Sequence, residues 1–95
     1  VAEFNILNEV MISPLKKAGA QVWIFGSRAR GDHKKFSDVD ILYEFPAKVR
    51  PPSGFVFSVK ADLDESRFPF LVDLVAAQDL AESYKEQVLR DRKTL

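Results

Sequence analysis

Residues 26–41 read GSRARGDHKKFSDVDI: a Gly-Ser turn leaves one apolar run, Gln21–Phe25 (QVWIF), and ten residues later an Asp-x-Asp pair enters the next, Val39–Phe45 (VDILYEF). The first run is short, rich in β-branched and aromatic residues and bounded by Gly19 and Gly26, which suits a buried strand. The second ends where Pro46 removes a ladder donor. Side chains alternate across a strand, so Asp38 and Asp40 share one face, about 7 Å apart along the chain, while Val39 and Ile41 take the other. Two carboxylates in one small space repel and raise each other's pKa. A cation between them resolves the repulsion, and oxygen-only ligands suit Mg²⁺ or Mn²⁺. An isolated D-x-D also occurs harmlessly on the exposed face of an edge strand.

Asp73 alters that weighing. It interrupts Phe70–Ala76 (FLVDLVA), a run that otherwise calls for burial on both faces, and a carboxylate buried there without a partner costs several kcal/mol. If this third strand lies beside the second, Asp73 completes a triad with Asp38 and Asp40. Such a triad can support two metals about 3.5 to 4 Å apart, an arrangement suited to in-line phosphoryl displacement. The plainer alternative is an Asp at a strand end, paired with one Arg.

Gly26 and Ser27 stand at the carboxyl end of the first strand, before SRAR, a segment able to form a helical turn with outward N–H groups of the kind that cradles phosphate. Gly26 admits close backbone approach, and Ser27 adds a hydroxyl donor. From Arg28 to Lys35 four Lys or Arg face one Asp, net +3. This local field suits a polyphosphate, although a solvated basic loop has the same composition. His33 reads as a loop residue. A P-loop is excluded, because GSRARG lacks a lysine directly after a longer glycine loop. So is an aspartyl-phosphate phosphatase, whose first Asp closes a hydrophobic strand within a larger fold; here Phe36 and Ser37 precede the pair.

Outside this stretch, Phe4, Leu7, Met11, Leu15 and Ala18 recur at steps of three and four and predict an amphipathic helix over 4–18. Pro14 is expected to kink it, or to restart it with Ser13 as cap, and Gly19 to end it. Residues 46–54 (PAKVRPPSG) are a loop. Residues 55–66 fit either period; helix is favoured, with Ser53 as a possible cap. Leu80, Tyr84 and Val88 mark a final helix from about Asp79 to Arg92. The order is helix, strand, strand, probable helix, strand, helix. This is an α/β or α+β fold of two layers around a three-stranded sheet, in a single domain spanning 1–95.

The 95 residues, 46% hydrophobic, carry fourteen Lys and Arg against fourteen Asp and Glu, so no global field binds nucleic acid or an anionic membrane in bulk. With no cysteine and one histidine, disulfide frameworks, zinc ribbons, iron–sulfur clusters, thiol nucleophiles and Ser-His triads are excluded. No apolar run approaches the roughly 20 residues of a membrane helix, and VAEFNILNEV lacks the order of a signal peptide. The expectation is a soluble cytoplasmic protein.

The combination VWIFGSRARG, a ten-residue gap between Gly-Ser and Asp-x-Asp, and SDVDI resembles the nucleotidyltransferases of the DNA polymerase β superfamily, especially the minimal nucleotidyltransferases. The direct likeness spans 16 residues and, with Asp73 as the later strand carboxylate, extends from Val22 to Val75. The resemblance implies a small mixed β-sheet flanked by helices, a polymerase β palm-like fold, which favours helix for residues 54–65. It also implies a transferase in which Gly26 and Ser27 hold the triphosphate of an NTP, with Arg28 and Arg30 beside them. Asp38 and Asp40 then ligate both Mg²⁺ ions, and Asp73 binds the catalytic metal and helps activate the acceptor hydroxyl.

Chains of this length resemble the catalytic palm alone, without the acceptor-binding domain of aminoglycoside- or tRNA-modifying relatives. Many minimal members look like the antitoxin of a toxin–antitoxin pair with a HEPN-domain ribonuclease toxin, to which they transfer AMP from ATP, often on a tyrosine. The Arg and His signature of HEPN domains is absent, so the chain resembles only the transferase half. The expected function is therefore Mg²⁺-dependent adenylyl transfer to a HEPN-type helical partner. A catalytically silent nucleotide-binding module and a small-molecule transferase of the aminoglycoside kind stand as alternatives. An apolar surplus on the stripes Phe4, Leu7, Met11 and Leu80, Tyr84, Val88 would serve homo- or hetero-oligomeric docking; core burial of both is the competing reading.

Overall fold

The computed structural model describes residues 2–95, with side chains from Phe4 onward. Along the chain lie α1 (Ala2–Leu7), a π-helical stretch (Asn8–Ile12), α2 (Ser13–Lys17), β1 (Gln21–Phe25), α3 (Ser27–Arg30) and β2 (Val39–Glu44). They are followed by α4 (Phe55–Asp64), β3 (Val72–Ala76), a 3₁₀ turn (Ala77–Asp79), α5 (Glu82–Asp91) and β4 (Lys93–Thr94). Two compact units emerge: one from the residues up to Gln21 with Phe45–Pro69, the other from Val22–Glu44 with Phe70–Leu95.

In the first unit, α1 and α2 form one nearly continuous helix. Pro14 neither breaks nor restarts it. The Ser13 N–H reaches back to Asn8 O, a π-type bond that loosens the helix just ahead of the proline, so Ser13 is helical and makes no side-chain cap. Leu7, Met11, Ile12 and Leu15 are buried, so this stripe is core. The helix ends as its glycine predicts: Gly19 takes φ 105°, and Ala20 N–H donates to Leu15 O at 3.0 Å. Residues 55–64 are helical, but the cap is Gly54 at φ 80° and not Ser53. Val59 and Leu63 are the buried positions of α4.

The second unit holds a four-stranded mixed sheet in the order β3-β2-β1-β4, one strand more than the sequence predicts. The addition, β4, pairs antiparallel with β1 through Trp23 and Thr94 and through Ile24 and Lys93. Two residues with no apolar alternation carry no strand signature; β1 recruits them by its open ladder. β2 and β3 run parallel in the register Val39–Val72, Asp40–Asp73, Ile41–Leu74. Both predicted strands are shorter than expected, ending at Glu44 in place of Phe45 and beginning at Val72 in place of Phe70. Helix α5 likewise starts at Glu82, after the 3₁₀ turn, and not at Asp79. It sets Val88 into a cluster with Trp23 and Leu42, edged by Phe25, Val75, Ala77 and Leu80. Leu80 and Val88 are therefore core, and of the predicted final stripe Tyr84 alone is left exposed, at 65%.

Candidate active site

Two strands and one tight turn build the site. Parallel pairing sets Asp40 directly opposite Asp73, and Asp38 lies just ahead of β2. Asp73 is exposed, not buried as its apolar surroundings suggest: alternation along β3 buries Val72 and turns Asp73 to solvent. Asp38 is also exposed and Asp40 half-buried, so all three carboxylates are accessible.

Gly26 follows β1 and caps α3 with φ 74° and ψ −157°, a conformation that side-chain-bearing residues rarely adopt. A Cβ at this position would overlap Asp40 Oδ2 and lie 3.2 Å from its Cγ. The glycine thus brings the start of the Ser27–Arg30 turn directly against the acid. Ala29 and Arg30 N–H both donate to Gly26 O at 3.1 Å, and Gly31 N–H donates to Ser27 O at 2.9 Å, completing the turn.

The side chains of Arg28 and Arg30 take different tasks. Arg28 donates from Nε and Nη2 to Ser37 O at 3.1 and 3.0 Å, with its guanidinium 4.3 Å from the Phe70 ring centroid. It clamps the residue before Asp38, and the loop there is closed by Lys34 N–H donating to Ser37 Oγ at 2.8 Å. Sequence reasoning passes over Ser37 and Phe70; no local pattern marks a backbone carbonyl as an arginine's partner. Arg30 donates to Asp32 and to Asp91, and those bonds hold its pKa up.

Asp40 is the perturbed acid. Burial raises its pKa above the ordinary carboxylate value, and repulsion from Asp73 and then Asp38 adds to the rise; Arg30 acts in the opposite sense. Three carboxylates, one of them destabilised, offer the oxygen-only chemistry that suits Mg²⁺ or Mn²⁺. The side chains are not drawn together as a ligand set: among the described residues no group of three acidic or histidine side chains converges on one point. The register sets Asp40 beside Asp73, and oxygen-only donors of this kind suit a divalent cation.

Phe36, 80% exposed two residues before Asp38, and Leu71, 75% exposed two residues before Asp73, place apolar side chains next to these acids in the chain. No described helix is long and apolar enough to cross a membrane.

The family profile of the nucleotidyltransferase domain matches residues 6–95. A solved structure of a protein described as a minimal nucleotidyltransferase is 31% identical, with 97% of this chain and 92% of that one covered and a TM-score of 0.71. Two more distant structures share the fold. A toxin–antitoxin crystallised with AMP-PNP is 22% identical, with 92% and 70% covered and a TM-score of 0.65. A nucleotidyltransferase from Sulfolobus solfataricus is 24% identical, with 95% and 76% covered and a TM-score of 0.53. No curated protein matches by sequence. With the profile running through the glycine turn and all three acid positions, the chain belongs to the nucleotidyltransferase domain family, among its minimal members.

Proposed function

We propose that the protein transfers AMP from ATP to a hydroxyl of a partner protein, releasing pyrophosphate, as the antitoxin of a HEPN-type ribonuclease toxin. The observation that carries the transfer chemistry is the contact of Gly26 with Asp40, itself in register with Asp73. A turn suited to phosphate and a set of acids suited to metal are thereby joined in one site. Gly26 and Ser27 hold the triphosphate, Arg30 faces it from the same turn, and Arg28 adds its charge while keeping the Asp38 loop in place. Two Mg²⁺ ions held by Asp38, Asp40 and Asp73 supply, when bound, the positive charge that stabilises attacking and leaving oxygens. The acceptor oxygen bonds to the α-phosphorus, the bond to the pyrophosphate oxygen breaks, and the hydroxyl proton leaves toward Asp73.

Support for a protein acceptor comes from the exposed Phe36 and Leu71, each two residues before one of the acids, apolar side chains that suit a polypeptide better than a sugar. The AMP-PNP in the structurally similar toxin–antitoxin supports both the nucleotide and the toxin context. The test is incubation with each labelled NTP, Mg²⁺ and a lysate of the source cells. Label from ATP on one protein band is the expected result. Label on a small molecule favours an aminoglycoside-type acceptor, and no label with retained nucleotide binding favours a silent partner module. Asp40→Asn should still co-purify with the partner while failing to modify it.

A further inference from the structure

Beside the glycine turn the sheet-bearing unit has a cleft of about 210 Å³, lined by Phe25, Gly26, Arg30, Tyr84, Gln87, Val88 and Asp91. Pockets that enclose a drug-sized ligand run to roughly 300–1,000 Å³, so this one admits a single ring system and no peptide segment or helix. Its chemistry is graded. Phe25 and Val88, both part of the apolar cluster under α5, give it a nonpolar floor. Tyr84 stands in the wall with most of its surface open, and its side chain makes no hydrogen bond or ring contact among the described residues. Gln87 brings an amide that can donate and accept at once. The Arg30–Asp91 pair at 3.2 Å adds a charged edge. Gly26 lines the cleft and also touches Asp40, so the hollow opens from the same residue that joins the turn to the acids.

We propose that this cleft receives the purine base of the nucleotide, with Tyr84 stacked on its face and Gln87 bonded to its edge. The proposal rests on the assignment of the triphosphate to Gly26 and Ser27. A flat face with a hydrogen-bonding rim is what a nucleobase offers, and base–aromatic stacking is a substantial, sequence-tolerant contribution to binding. A purine overlaps the tyrosine ring and the apolar floor more fully than a pyrimidine. Tyr84 and Gln87 carry no other packing task, since both are exposed residues of α5.

The decisive comparison is between inorganic tripolyphosphate and non-hydrolysable analogues of ATP and CTP, titrated calorimetrically with Mg²⁺ present. Wild type should bind the ATP analogue more tightly than the CTP analogue or tripolyphosphate. Tyr84→Ala should weaken the ATP analogue about tenfold and leave tripolyphosphate unchanged, Tyr84→Trp should restore it, and Gln87→Ala should narrow the purine preference. Equal weakening of nucleotide and tripolyphosphate by Tyr84→Ala, or no weakening of either, overturns the base cleft. So does wild-type affinity for the ATP analogue no greater than for tripolyphosphate, while the phosphate assignment stands. If wild type binds neither, the proposed function falls, and the base cleft with it.

Discussion

Two charged groupings in the sheet-bearing unit use the same carboxylate chemistry and end in opposite states. Around Arg30, opposite charges meet: Asp32 accepts at 3.1 Å and Asp91 at 3.2 Å, tying the turn to α5. Across β2 and β3, like charges meet: Asp40 faces Asp73 with Asp38 upstream, and among the described residues none of the three forms an ion pair. A folded chain ordinarily neutralises or hydrates its charges. Here a half-buried acid is set against two others, and burial together with their repulsion raises the pKa of Asp40. The paired grouping fastens the turn to α5, and the unpaired one lies at the candidate site.

The sharpest way to break this contrast is to remove one unpaired charge. Asp38→Asn or Asp40→Asn should lower transfer by a factor of at least about 10²–10³ in single-turnover assays, because charge stabilisation is withdrawn from the transition state itself. Retention of most activity by either variant would end the assignment. Gly26→Ala comes next. The methyl overlaps Asp40 and the residue is held at φ 74°, so stability should fall by about 1–3 kcal/mol in denaturant titration, with transfer falling alongside it.

A smaller effect of opposite sign follows from the repulsion. In EDTA, Asp73→Asn should melt no lower than wild type, and Mg²⁺ should raise the wild-type midpoint by mass action. A strongly destabilised Asp73→Asn in EDTA would make Asp73 a structural ion-pair member. The pH dependence has a defined sign. Because the folded pKa of Asp40 lies above its unfolded value of about 3.9, folding favours its protonated form. Stability from this residue is full below that unfolded value and is lost as pH rises through the folded one. Metal-free wild type should therefore fall behind Asp40→Asn as pH rises above about 4, and the gap should close again in acid. The smallest change belongs to the paired grouping: Asp91→Asn should leave the melting midpoint nearly unmoved, since exposed pairs contribute little.

Much of the site was legible because its signals are local. The Gly26–Ser27 turn, the Asp-x-Asp spacing at the start of β2 and the apolar run around Asp73 each depend on a few neighbouring residues. What misled was context. Asp73 lies in a run that looks doubly buried, yet only one face of β3 is covered there; Tyr84 has the spacing of a core residue, yet Val88 and Leu80 supply the packing without it. The clamp of Arg28 on Ser37 O had no sequence signature, because any backbone carbonyl in reach can serve as acceptor.

The sequence by itself determined the kinds of element and the residues able to do chemistry, since strand alternation, glycine's access to positive φ and proline's missing donor act within one turn or strand. Only the tertiary structure decided that Asp40 and Asp73 stand in register, that Gly26 closes on the Asp40 carboxylate, that Lys93–Thr94 becomes a fourth strand and that Tyr84 faces a cleft. Register between strands separated by a helix is chosen by the packing of both faces at once, and neither strand records it alone.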